Sequence, residues 1–94
     1  MEKNKSNDWK NPMKIIVKVF GRYKDISGKE TIQLDIIDGN TLQDVINVFV
    51  KQYPAVQKDK NRMMVTKNKM FASFDTIVTT EDEITLSPPV VSGG

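Results

Sequence analysis

The hydrophobic period of the chain changes between residues 36 and 41, and this change narrows the folds that the chain can adopt. Before it, from Met13 to Ile36, apolar and polar residues alternate as they do in half-buried β-strands. After it, from Thr41 to Pro54, the apolar residues recur at helical spacing and form one stripe: Leu42, Val45, Ile46, Phe49, Val50 and Tyr53. Strands and helix can bury these faces against each other, which predicts an α+β domain with the helix across one sheet face.

The two alternating segments predict a pair of antiparallel strands. They are MKIIVKVF, residues 13–20, and KETIQLDI, residues 29–36. The residues expected to point inward are Ile15, Val17 and Val19 in the first strand and Ile32, Leu34 and Ile36 in the second. The connector contains Ser27 and Gly28, so a short glycine-bearing turn and a hairpin are expected. The other face of such a sheet is commonly solvated.

The predicted helix has recognisable start and stop signals. Thr41 is a suitable N-cap, because its side chain can accept a hydrogen bond from the first turn. Asp44 adds negative charge where the helix dipole favours it. Pro54 ends the helix, because proline disfavours helical geometry in the residue before it.

Shorter segments complete the predicted sheet. A charged loop at 57–62 leads into a strand at 63–66, a tight turn at 67–69 and a segment at 70–78 that holds a minor strand or a turn of helix. After a polar turn at 79–83, ITLS forms the last strand, with Ile84 and Leu86 inward. Pro88 and Pro89 end it, because proline lacks the N–H that a sheet ladder requires. A sheet of four to five strands is therefore predicted.

The composition excludes several classes of function. The chain has no cysteine and no histidine, so disulfides, thiolate nucleophiles, Cys/His zinc sites and imidazole bases are absent, and no metal site is predicted. The net charge is +2 and the lysines are scattered, which does not indicate nucleic-acid binding. No apolar run approaches the ~18 residues of a membrane span. A cytoplasmic protein without membrane attachment is expected.

The chain length fits one domain. Ninety-four residues leave no room for a second core. Residues 1–12 are polar and lack the apolar stretch of a signal peptide, so a mobile N-terminal extension is expected before a domain at 13–87. Residues 88–94, PPVVSGG, are expected to form an extended, flexible C-terminal tail.

Three segments of the chain carry a family resemblance. They are VKVFGRYKDISGK at 17–29, QYP at the end of the helix, and EDEITLSPPVVSGG at 81–94. Together they resemble the MoaD/ThiS-like family of ubiquitin-like sulfur carriers, and within it MoaD, the small subunit of molybdopterin synthase. The resemblance implies a β-grasp fold: a mixed sheet whose first and last strands run parallel at its centre, with one main helix on one face.

The resemblance also implies a chemistry for Gly94. Its carboxylate is adenylated with ATP on a separate MoeB/ThiF-type adenylating enzyme and then converted to a thiocarboxylate. The sulfur passes to a pterin precursor inside a complex with the MoaE-type large subunit of molybdopterin synthase. In this scheme the chain is a carrier with no bound cofactor, and it is not an enzyme by itself.

The tail residues suit such a role. Gly93 and Gly94 lack Cβ, so they can pass through a narrow channel and leave the carbonyl open to attack. The residues expected to contact a partner are Phe20, Leu86, Ser87, Pro88, Pro89, Val90 and Val91. Phe20 has an alternative role, because it can instead pack beneath the connector that follows it. Leu86 and Ser87 stand where family members often carry aromatic residues, and the spacer of Val90, Val91 and Ser92 is one residue longer than is common.

Two other functions remain open at this stage. A protein modifier or a tRNA-thiolation carrier of the same fold uses the same glycine, and a modifier forms isopeptide bonds with lysines of target proteins. A plain β-grasp interaction module has no tail chemistry and would tolerate loss of Gly94. ThiS also ends in Gly-Gly but is typically shorter and lacks the double proline.

Overall fold

The computed structural model describes residues 12–90. Its elements are β1 (Met13–Val19), α1 (Arg22–Ser27), β2 (Thr31–Ile36), α2 (Leu42–Gln52), a 3₁₀ helix (Pro54–Asp59), β3 (Met64–Lys67), β4 (Met70–Phe71) and β5 (Ile84–Ser87). Most of the expected extension and the last four residues of the chain lie outside the described residues, so those two assignments remain predictions.

The five strands form one mixed sheet with the order β2-β1-β5-β3-β4. β1 and β5 run parallel at its centre, with Val17 opposite Ile84 and Val19 opposite Leu86. All other neighbours are antiparallel. This is the β-grasp arrangement, and the predicted fold class is confirmed.

The core lies between one face of this sheet and α2. Among residues 12–90, eighteen apolar side chains are buried in this core, including every inward residue predicted for the first two strands. From the predicted helical stripe, Leu42, Val45, Ile46, Phe49 and Val50 are buried, and Tyr53 is partly buried against the same cluster. The change of hydrophobic period therefore located both halves of the core.

The start of α2 is a capping box. The Thr41 hydroxyl accepts a hydrogen bond from the Asp44 N–H at 3.3 Å, and the Thr41 N–H donates to the Asp44 carboxylate at 2.9 Å. The Thr41 N–H and then the Thr41 hydroxyl hold the pKa of Asp44 below its usual value. The predicted N-cap is confirmed, and Asp44 does more than complement the dipole.

The connection between β1 and β2 differs from the prediction. The two strands are antiparallel as expected, but the six-residue helix α1 joins them instead of a short turn. Gly28 ends α1 with φ of 75°, and its N–H donates to the Lys24 carbonyl at 2.8 Å. Sequence periodicity missed α1 because Tyr23 is its only fully buried residue, and one residue defines no period.

Smaller corrections concern element ends. The charged loop predicted at 57–62 begins inside the 3₁₀ helix, whose Val56 and Asp59 are buried. The first strand stops at Val19 and the second begins at Thr31. The predicted tight turn is the two-residue loop of Asn68 and Lys69, both with positive φ. Among the described residues, no helix is long and apolar enough to cross a membrane.

Candidate functional site

The predicted site residues lie only partly within the described residues. Val91, Gly93 and Gly94 lie outside the described residues, so their roles stay predictions. Pro88 and Pro89 follow β5 directly and are half-buried, whereas Val90 is 78% exposed. The structure therefore describes the base of the tail, which we define as residues 88–90.

The base of the tail lies against the turn that follows β1. The Phe20 N–H donates to the Leu86 carbonyl at 3.2 Å, one residue beyond the end of the β1–β5 ladder. At the next residue, Gly21, the backbone approaches the Pro88 ring closely: a Cβ there would lie 3.3 Å from Pro88 Cδ and Cγ. Gly21 also has φ of 61°, which side-chain-bearing residues rarely adopt. Glycine at this position therefore permits both the turn and the proline contact.

The structure places the side chain of Leu86 in the core, and the predicted partner contact at this residue stays a prediction. Leu86 is 0% exposed and pairs with Val19 on one side and Val65 on the other. Strand alternation points it into the core, as its position in ITLS also indicated. The neighbouring Ser87 is half-buried, and its hydroxyl donates to the Met64 carbonyl at 3.4 Å.

Phe20 is half-exposed, so both roles that the sequence left open for it remain predictions. Phe20 lines a cavity of about 110 Å³ together with Lys18, Val19, Lys24, Glu30 and Thr31, so part of the connector lies across this cavity from it. Yet 47% of Phe20 remains exposed. The exposed part is available to a partner beside the base of the tail.

Further apolar side chains extend the exposed surface along the sheet. Ile16, on the face of β1 turned away from the core, is 48% exposed. At the edge of the sheet formed by β4, Met70 and Phe71 are 72% and 73% exposed, and Phe71 lies opposite Thr66 of β3. Strand alternation could have placed Ile16 outward, but a two-residue strand has no periodic signal that would have found Met70 or Phe71. We call the sheet face that carries Ile16 and Phe71 the open face.

The acidic turn at 81–83 is occupied by contacts within the chain. Asp82 accepts hydrogen bonds from the Asn68 amide at 2.9 Å and the Thr79 N–H at 2.8 Å, and Lys67 lies 3.7 Å away. The Asn68 amide, followed by the Thr79 N–H, lowers the pKa of Asp82. Glu83 pairs with Lys18 at 3.8 Å. Among the described residues no group of acidic side chains is arranged to hold a metal ion.

A polar cluster around the buried Asp59 joins α1 to the 3₁₀ helix, and the sequence did not reveal it. Asp59, 1% exposed at the end of the 3₁₀ helix, accepts a hydrogen bond from the Tyr23 hydroxyl at 2.8 Å. The Arg22 guanidinium donates to the same oxygen, Oδ2. Burial, followed by the hydrogen bond and charge of Asp59, raises the pKa of Tyr23. The sequence did not indicate that Asp59 is buried, because this residue lies in a charged segment and such segments are usually solvated.

The fold is that of a ubiquitin-like β-grasp domain, and comparison with known proteins identifies the family. The ThiS family model matches residues 17–94, so the chain belongs to the ThiS family of sulfur carriers. A molybdopterin synthase sulfur carrier subunit of Arabidopsis thaliana is 25% identical over 88 residues, which cover 94% of this chain and 91% of the relative.

Two solved structures extend the comparison. Small archaeal modifier protein 1 of Haloferax volcanii has a TM-score of 0.70 at 25% identity and covers 83% of this chain and 99% of its own. A complex of subunits 1 and 2 of the molybdopterin-converting factor of Helicobacter pylori contains a chain with a TM-score of 0.56 at 22% identity, covering 86% of this chain and all of that one. The latter likeness shows the fold.

Proposed function

We propose that the protein carries sulfur as a thiocarboxylate on Gly94 and donates it in molybdopterin biosynthesis, as the small subunit of the synthase. The observation that carries the proposal is the match to the ThiS family, which runs from β1 through Gly94. The name of the Arabidopsis relative supports the pterin pathway. The reactions take place in the cytoplasm.

The chemistry requires activation of the terminal carboxylate. An α-carboxyl group has a pKa near ~3.5, so Gly94 is ionised at neutral pH and is a poor acyl donor. On an adenylating enzyme of the MoeB/ThiF type, a carboxylate oxygen attacks the α-phosphorus of ATP and pyrophosphate leaves. Hydrosulfide then attacks the acyl carbon, AMP leaves with the C–O electron pair, and loss of the S–H proton gives the thiocarboxylate.

In this proposal the carrier contributes a tail and a docking surface, and the enzymes contribute the catalytic groups. Pro88 and Pro89 restrict the exit of the tail, which lowers the entropy lost on docking. Residues 88–94 reach about 23–25 Å when extended, enough to enter a buried active site. Phe20 and Val90 expose apolar surface where the tail leaves the domain. The chain binds no cofactor, because ATP is consumed on its partner.

The proposed partners are the adenylating enzyme and a MoaE-type large synthase subunit. The Helicobacter pylori structure holds two subunits of a molybdopterin-converting factor in a complex, which supports a pairing of this kind. The partner's groove would receive the segment Ser87, Pro88, Pro89, Val90 and Val91, and Phe20 would lie beside it. The aromatic side chain of Phe20 would supply the apolar edge that Ser87 lacks.

Intact mass spectrometry tests the chemistry. The chain is incubated with ATP, its host's adenylating enzyme and a sulfide donor, and we expect a mass gain equal to replacement of one oxygen by sulfur. A chain lacking Gly94 should show no gain, whereas a Ser92→Ala chain of full length should behave as the unmodified chain does. A gain that persists without Gly94 would disprove the proposed site, and no gain in any chain would disprove the carrier function.

The likeness to a small archaeal modifier protein favours a second candidate, a protein modifier that uses the same glycine. The activated Gly94 would then form an isopeptide bond with a lysine of a target protein. Incubation of the thiocarboxylated chain with the large synthase subunit and a pterin precursor distinguishes the two. Return of the unmodified carboxylate with sulfur on the pterin supports the synthase, whereas lysine-linked adducts in cell extracts support the modifier. Sulfur recovered in tRNA would support a tRNA-thiolation carrier.

A further inference from the structure

We propose that Asp59 is a positioning residue for the tail, although it belongs to a different element of the fold. Its buried carboxylate holds the start of α1, and Gly21, the residue immediately before α1, packs against Pro88. The effect expected on the kinetics of the adenylating enzyme rests on the proposed function. The effect expected on the position of the tail base rests only on the described contacts.

The Asp59 carboxylate anchors α1 to the 3₁₀ helix. One oxygen of Asp59 accepts hydrogen bonds from two consecutive residues of α1, Arg22 and Tyr23. Arg62 approaches the other oxygen at 3.9 Å, so two guanidinium groups face this carboxylate. A buried charge is tolerated only when it is paired and hydrogen-bonded. The first turn of α1 and the end of the 3₁₀ helix are therefore held at one relative position.

Hydrogen bonds connect the anchored start of α1 to the turn after β1. The Tyr23 N–H donates to the Phe20 carbonyl at 3.2 Å, and the Lys24 N–H donates to the Gly21 carbonyl at 3.0 Å. The Tyr23 ring is 0% exposed and meets Phe49 of α2 edge-on, with 5.4 Å between ring centroids. A shift of Tyr23 would thus move the Phe20–Gly21 backbone with it.

The backbone of Phe20 and Gly21 in turn contacts the residues at the base of the tail. Phe20 donates its N–H to the Leu86 carbonyl, and Gly21 packs against the Pro88 ring. Both contacts flank Ser87, the last residue of β5. The direction in which the tail leaves the domain is therefore set partly by α1, and the position of α1 is set partly by Asp59.

The expected consequence is on binding and not on the chemical step. If the tail base samples other directions, only a fraction of carrier molecules is ready to enter a partner, and apparent affinity falls by that fraction. Once the tail is inside the adenylating enzyme, that enzyme determines the geometry of the carboxylate. We therefore expect KM for the carrier to rise while kcat stays unchanged.

Pyrophosphate exchange by the host's adenylating enzyme measures this effect. Asp59→Asn keeps the size of the side chain and an oxygen for Tyr23, but it removes the charge that holds Arg22. We expect its KM to rise about 3- to 10-fold with kcat unchanged. Val56→Ala is the matched control, because Val56 is buried in the same 3₁₀ helix and supplies no polar partner to α1. It should destabilise the fold and leave KM unchanged.

Two further measurements keep the proposal open to disproof. If Asp59→Asn does not fold, Arg22→Gln alters the anchor from its half-exposed side and should raise KM in the same way. The amide resonance of Val90 reports on the tail base without any enzyme. It should shift in Asp59→Asn and stay in place in Val56→Ala.

Failure of this inference differs from failure of the proposed function. Equal KM values for the two variants, or an unmoved Val90 resonance in Asp59→Asn, would overturn the role of Asp59. Absence of pyrophosphate exchange with the unmodified chain would instead count against the carrier function, and the resonance test would still decide the positioning role.

Discussion

The two faces of the central strands differ sharply in how far their large apolar side chains are exposed. On the covered face, Ile15, Val17 and Val19 of β1 are at most 1% exposed, and Ile84 and Leu86 of β5 are fully buried. On the open face, Ile16 keeps 48% of its surface exposed, and Phe20, one residue beyond β1, keeps 47%. Burial of apolar area stabilises the fold in proportion to that area. The covered face therefore contributes most to stability, whereas the exposed residues remain available for recognition.

The largest expected difference between the faces is in stability. Leu86→Ala removes a fully buried side chain between Val19 and Val65, and it should lower the free energy of unfolding by about 2–5 kcal/mol. The matched change on the open face, Ile16→Ala, should cost less than about 1 kcal/mol. Urea denaturation of both variants measures the two losses. Similar losses of unfolding free energy in the two variants would contradict the conclusion that the covered face contributes most to stability.

The next expected difference is in partner binding. Phe20→Ala removes an exposed aromatic group beside the tail, and we expect binding to the adenylating enzyme to weaken by about 2 kcal/mol, or roughly 30-fold in Kd. Its loss of stability should be smaller than that of Leu86→Ala, because Phe20 is only half-buried. Isothermal titration calorimetry with each variant gives the affinities.

The control for this measurement is Ile77→Ala. Ile77 is 51% exposed, close to the value for Phe20, but it pairs with Thr41 at the start of α2, away from the tail base. Its removal should leave the affinity unchanged. If both variants bind equally weakly, exposed apolar area in general, and not the position of Phe20, determines binding.

The smallest expected effect concerns the helix that covers the sheet. Asp44→Asn removes the charge that the capping box and the helix N-terminus stabilise, and it should lower the free energy of unfolding by about 0.3–1 kcal/mol at neutral pH. Because the folded-state pKa of Asp44 is depressed, this contribution is present above the unfolded-state pKa and is lost as the pH falls through the lower, folded-state pKa.

Denaturation of both chains between neutral pH and strong acid tests this sign. The stability difference should shrink in acid and vanish once Asp44 is protonated in the folded chain. Asp35→Asn is the control, because its exposed pair with Lys14 at 3.9 Å should contribute less than about 0.5 kcal/mol. A difference between the chains that grows in acid would contradict the assigned role of Asp44.

Sequence reasoning succeeded where a physical period or a cap motif extends over several residues. The alternation in β1 and β2 and the helical stripe of α2 identified the core, and Thr41 identified the start of the helix. It failed where one residue carries the structure: Tyr23 in α1 and Asp59 in the 3₁₀ helix give no periodic signal. It also assigned Leu86 to two roles, of which burial of the side chain confirms only the inward one.

The parallel pairing of β1 with β5 illustrates the same limit. It joins residues far apart in the chain, and nothing in either strand alone specifies its neighbour. The expectation came from the family resemblance, and the structure confirmed it. The resemblance likewise predicted the role of the glycine pair, which lies outside the described residues.

The sequence by itself determined the α+β class, the covered and open faces of β1, and the family, because hydrophobic period and short motifs are local properties. The tertiary structure decided which residues surround the tail base. Gly21, Pro88 and Asp59 are distant in sequence, and only the folded chain brings Pro88 against the turn that the Asp59 carboxylate holds. Those contacts depend on the relative placement of three elements, and no local pattern encodes that placement.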